Sequence, residues 1–118
     1  MPVTILAYVP DLMIAVRLQE AGKRAGTGVV MVESQEELLQ RLEAGGVTSV
    51  VIALGADGLD LRAIADAAGG WGVPVLAFGP HVDVARLQAA RDAGVERVFA
   101  RGKFLRELPK ILREWASA

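Results

Sequence analysis

The sequence predicts an α/β domain of three layers, in which a five-stranded parallel sheet is doubly wound in the order 2-1-3-4-5 and covered by helices on both faces. Three observations carry this expectation. Short apolar runs alternate five times with segments of helical periodicity; such runs mark strands buried on both faces, and parallel strands need crossover helices between them. The connections are short and rich in Gly, Pro and Asp. The chain has 118 residues, 53% of them hydrophobic and only 5% aromatic, so it holds a single core built mainly from Ala, Val, Leu and Ile.

Val3 to Val9 is an apolar run of strand length, stopped by Pro10, with Asp11 placed to cap the helix behind it. From Leu12 to Ala25, the residues Leu12, Ala15, Val16, Leu18 and Ala21 recur at helical spacing between charged ones, and Gly26 ends the helix. Gly28 to Val32 is the second strand. Ser34, with Glu37 three positions on, forms a capping box for a helix running to Ala44, before Gly45-Gly46. Val47 to Leu54 is the third strand, and a Gly-Ala-Asp-Gly turn leads to a helix from Leu59 to Ala68, broken by Gly69-Gly70-Trp71-Gly72. Val73 to Phe78 is the fourth strand. Gly79-Pro80-His81 then turns the chain into a helix over Val82 to Ala93, stopped by Gly94, and Val95 to Ala100 is the fifth strand. In the last segment Phe104, Leu108, Ile111, Leu112 and Trp115 share one helical stripe, while Pro109 predicts a kink or a late start.

Composition excludes several function classes. Thirteen basic and fourteen acidic residues give a net charge of -1, which supplies no field for nucleic acid or anionic lipid. With no cysteine and one histidine, there is no disulfide, thiol nucleophile, cysteine-based zinc site or His-rich metal cluster. The longest apolar run, Val50 to Ala56, contains Gly55 and falls far short of the ~18 residues that span a bilayer. The start lacks the basic region of a secretory leader. These features predict a cytoplasmic protein with no nucleic-acid or membrane partner, no metal and no cofactor.

The predicted strand order is the flavodoxin-like one, whose ligand sites lie at the carboxyl ends of strands one, three and four. Four stretches at and around those ends, spread over essentially the whole chain, resemble the receiver domain of two-component response regulators. They are Val3 to Asp11, Ala53 to Asp60, Val73 to His81 and Ala93 to Arg101 followed by Phe104. The resemblance implies a phosphoacceptor aspartate at the end of strand three, an acidic pair after strand one that holds Mg²⁺, a hydroxyl after strand four and a lysine after strand five. Here those positions are Ala53, Val9 and Pro10, Gly79 and Arg101, with Asp11 alone kept from the acidic run. Val, Pro and Ala offer no ligand for an octahedral Mg²⁺, Gly79 has no hydroxyl, and arginine is planar where lysine is a point charge. Ile52 and Leu54 flank Ala53, so a slip of one residue restores nothing. Phosphoryl transfer at the usual site is therefore expected to be lost, and no catalytic residue is assigned.

The remaining candidates each have a plainer alternative. Asp57 and Asp60 form either a displaced acidic site near Asp11 or helix caps, and capping is preferred, as it is for Asp83. His81 lies on the loop after strand four, where a ligand would be met, yet has no evident metal or catalytic partner. Arg101, Gly102 and Lys103 form a basic corner that, with Gly55 and Gly79, could admit a phosphate or carboxylate, although no Walker or dinucleotide motif is present. Trp71 is expected to cover the bottom of the core. By the resemblance, Leu87, Arg91, Phe99, Phe104 and Arg106 are candidates for a self-association patch. The leading expectation is a noncatalytic signalling module that acts by binding protein partners, itself included as a homodimer. The alternative is a small-molecule or anion binder using Asp11, Gly55, Asp57, Gly79, His81 and Arg101 at the carboxyl edge, and a detached subunit of a larger enzyme is a third reading.

Overall fold

Strands buried on both faces must be apolar at successive positions, and the middle strands of this chain are. The computed structural model describes residues 4–55 and 59–116, in which five strands and five helices alternate. In chain order these are β1 (Thr4–Tyr8), α1 (Leu12–Ala25), β2 (Gly28–Met31), α2 (Gln35–Ala44), β3 (Ser49–Ala53), α3 (Leu61–Gly70), β4 (Val75–Gly79), α4 (Val84–Asp92), β5 (Arg97–Ala100) and α5 (Arg101–Ala116). The sheet is ordered β2-β1-β3-β4-β5, with every neighbouring pair parallel, as the sequence predicts. None of the described helices is long and apolar enough to cross a membrane.

Alternation along the middle strands feeds two cores. Leu6, Val50, Ile52, Val75 and Ala77 face one side, where Leu38, Leu42, Ile64, Ala68, Leu87 and Ala90 bring in α2, α3 and α4. Ile5, Ala7, Val51, Leu76 and Phe78 face the other, against Ile14 and Leu18 of α1 and Phe104, Leu108, Ile111 and Leu112 of α5. On that side the rings of Phe78 and Phe104 stack with centroids 4.3 Å apart and planes 4° from parallel.

The strands are shorter than the apolar runs that predicted them. Val9, Val73 and Val95 are buried yet lie outside the paired segments, because apolar periodicity reports removal from water and not membership of a hydrogen-bonded ladder. Two further expectations are corrected. α3 continues through Gly69 and Gly70, and it is closed by the Trp71 N–H on the Ala68 carbonyl and the Gly72 N–H on the Gly69 carbonyl; the indole is 58% exposed and does not cover the core. α5 starts directly at Arg101 and passes through Pro109. The late start is thus overturned; Pro109 is exposed and denies the Leu105 carbonyl its usual donor.

Ser49 is completely buried in β3, and its hydroxyl has no hydrogen-bond partner among the described residues. Ser49→Ala removes a desolvated polar group and should raise stability by about 1 kcal/mol in denaturant unfolding. Phe104→Ala opens a cavity beneath Phe78 and should cost about 4 kcal/mol in the same assay. A loss smaller than about 1.5 kcal/mol would show that the ring stack does not anchor α5.

Candidate functional site at the carboxyl edge

In this fold every helix begins at the carboxyl edge of the sheet, so residues following β1, β3, β4 and β5 converge there. A cleft of about 350 Å³ opens at that edge. It is lined from β3 by Ala53, Leu54 and Gly55, and from β4 by Phe78, the register partner of Ala53. Pro10, Asp11 and Ile14 line it from the β1–α1 connection, Pro80 and Arg86 from the β4–α4 side, and Arg101 from the first position of α5.

The aspartates of this edge are helix caps. Asp11 Oδ1 accepts the Ile14 N–H at 3.1 Å, Asp60 Oδ1 that of Ala63 at 3.0 Å and Asp83 Oδ1 that of Arg86 at 3.2 Å. Each carboxylate thus satisfies a donor that the first turn leaves orphaned. Asp57 lies outside the described residues. Asp11 alone of the three described aspartates also lines the cleft.

Arg86 is a cleft-lining residue that sequence reasoning missed. Its Nε pairs with Asp83 Oδ2 at 3.3 Å, and its Nη1 lies over Gly55, 3.2 Å from where a Cβ would stand. Gly55 has φ +116°, a left-handed conformation in which side chains are strained, so the turn after β3 admits the guanidinium only because no side chain is there. The available signal was the Asp83 to Arg86 spacing, which pairs a cap with a cation on the first turn of a helix at the ligand edge.

Of the other predicted residues, Arg101 lines the cleft and makes no hydrogen bond or ion pair with the described residues. Lys103 leaves it, reaching Glu107 at 3.8 Å and the Phe99 ring at 5.7 Å, so the expected basic corner is divided. Gly79 is the last residue of β4 and not part of the turn. It is buried, and a Cβ there would stand 3.2 Å from Leu54 Cβ. His81 is exposed on its loop and does not line the cleft. Val9 is buried in the second core and does not line the cleft. The expected self-association patch is also corrected: Leu87 and Phe104 are buried, because the inward stripes of α4 and α5 need them. Arg91 and Arg106 are exposed, and Phe99 is half-buried with the Arg97 guanidinium 5.2 Å from its ring. What is left of that patch is cationic.

One carboxylate facing two guanidiniums is the wrong donor set for Mg²⁺, which needs oxygen ligands and is repelled by both arginines. Among the described residues no three carboxylates or imidazoles group into a set that could hold a metal ion.

No family model and no curated protein matches the chain. Solved structures do match. A response regulator from Thermotoga maritima is 14% identical, with a TM-score of 0.79 over 100% of both chains. The receiver domain of a sensor histidine kinase from Pseudomonas aeruginosa, solved with magnesium coordinated in its active-site cleft, is 18% identical, with a TM-score of 0.80 over 100% of both chains. A CheY-like protein from Pseudomonas aeruginosa is 23% identical, with a TM-score of 0.73 over 100% of this chain and 96% of that one. The chain therefore has the flavodoxin-like fold of response-regulator receiver domains. With its cleft lined as described, millimolar Mg²⁺ should leave the amide resonances of Asp11, Ala53 and Gly55 in place; a saturable shift at these three residues would contradict the donor-set argument.

Proposed function

We propose that the chain is a receiver-like regulatory module that works by binding protein partners and is not phosphorylated at the position usual for this fold. Ala53 carries this reading. It is the last residue of β3 and lines the cleft, and in the likeness to receivers it stands where the phosphoacceptor would be. A methyl group cannot accept a phosphoryl group. The residues on either side, Ile52 and Leu54, are buried and apolar, so no nucleophile is within a residue of the position. Gly79, closed in by Leu54 and Leu87, has neither the hydroxyl nor the space for one. With no reacting group assigned, the effect of the module is exerted through what it binds.

A second reading is favoured by one observation: Arg86 and Arg101 line the same cleft. In that reading the chain is a binder of a small anion, held by two guanidiniums and the backbone near Gly55.

Incubation with acetyl phosphate and Mg²⁺ tests the first reading. The intact mass should be unchanged, and Ala53→Asp should be needed before any acyl-phosphate adduct is detected. Stoichiometric labelling of the unmodified chain would sink the proposal.

A further inference from the structure

Six large apolar side chains are exposed among the described residues, and four of them adjoin cleft-lining residues in the chain, Leu12 turning toward a neighbouring concavity with Met31 and Val32. Leu12 and Met13, 77% and 79% exposed, stand between the lining residues Asp11 and Ile14. Val82 and Val84, 76% and 69% exposed, stand between the lining residues Pro80 and Arg86. Val16 extends the first pair along α1, and only Trp71 lies at the other edge of the sheet. The cores do not need these side chains, since α1 is packed through Ile14, Ala15 and Leu18 and α4 through Leu87 and Ala90. Apolar surface concentrated around a concavity marks a binding site more often than scattered exposure does.

The charge between the two apolar borders specifies what binds. Arg101 has no carboxylate partner among the described residues, and the Arg86 guanidinium reaches over Gly55 into the cleft. The Asp11 carboxylate is engaged by the α1 backbone and Asp83 by α4 and Arg86. Two exposed guanidiniums lining one cleft suit a planar oxyanion, which each can hold by two N–H donors. The borders follow β1 and β4, which are two positions apart in the sheet, or roughly 10 Å at ordinary strand spacing. In an extended peptide, alternate residues face the same surface, and residues four apart span roughly 13 Å.

We infer that the carboxyl edge is a docking site for an extended acidic segment of a partner protein. Its Asp or Glu carboxylate enters between Arg86 and Arg101, while apolar residues two positions before and after it cover Met13 on one side and Val82 with Val84 on the other. The inference rests on the reading that this edge is a binding surface and not a phosphorylation site.

Selection from a random displayed-peptide library against the whole chain, run in parallel against an R86Q/R101Q variant, tests it. The wild-type protein should enrich peptides with an acidic residue flanked at two positions on either side by Leu, Ile, Met or Phe. A synthetic peptide of that consensus should bind roughly tenfold or more weakly to Arg101→Gln, and likewise to Met13→Ser/Val82→Ser. Changing its acid to the amide should have the same effect. These four side chains are exposed, and circular dichroism of each variant checks that the fold is kept. Enrichment of peptides without an acid, enrichment that survives R86Q/R101Q, or no enrichment overturns the docking site. So does binding of inorganic phosphate at Arg101 with no dependence on Met13 or Val82, which identifies a small-anion site. Self-association abolished by Met13→Ser also overturns it, by making a second copy the occupant. The phosphodonor experiment fails separately: labelling strikes the regulatory reading, whereas an unlabelled protein that selects no peptide loses only the docking site.

Discussion

Burial of the middle strands on both faces is the constraint from which the rest of this structure follows. A parallel sheet exposes no face to water, so β1, β3 and β4 alternate their side chains between two separate cores. Each core then requires its own helical cover, which α2, α3 and α4 supply on one side and α1 and α5 on the other. The Phe78–Phe104 stack fixes the last helix to the fourth strand, and with it the place where Arg101 enters the cleft. Surface ion pairs such as Arg41–Glu37 and Lys103–Glu107 are solvated and contribute at most about 1 kcal/mol each.

The same winding brings five helix starts to one edge, and this decides what the acidic residues there do. A helix start leaves backbone N–H groups without partners, and Asp11, Asp60 and Asp83 answer that need at 3.0–3.2 Å. Carboxylates engaged in this way are structural first. The cleft between them is floored by Ala53 and Phe78 and crossed by Arg86 and Arg101, so it is apolar with a cationic centre. Gly79 fits the same picture, because β4 packs against Leu54 and Leu87 too closely at that point for a larger residue to enter without displacement. Solved structures with the same fold include one with magnesium coordinated in its active-site cleft, whereas among the described residues here no three carboxylates or imidazoles group to hold a metal ion.

The exposed apolar residues are set apart from the cores by helical geometry. On α1, Ile14, Ala15 and Leu18 turn inward, which leaves Leu12, Met13 and Val16 on the water side. Solvated side chains of this size contribute little to either core, so the packing of the sheet and helices does not depend on them.

The sequence by itself determined the alternation of strands and helices, the winding order and the caps at Asp11, Ser34, Asp60 and Asp83. These depend on residues close together in the chain, where periodicity and capping preferences act. The packing of distant segments sets Arg86 over Gly55 in the cleft that Arg101 also lines, leaves His81 outside that cleft, and turns Lys103 away to Phe99. It likewise decided that Leu87 and Phe104 serve the cores instead of a surface and that Trp71 faces water. Strand ends and side-chain convergence were illegible for one reason: an apolar or charged residue announces its preference for oil or water, but which neighbours it meets is set by the packing of segments tens of residues apart.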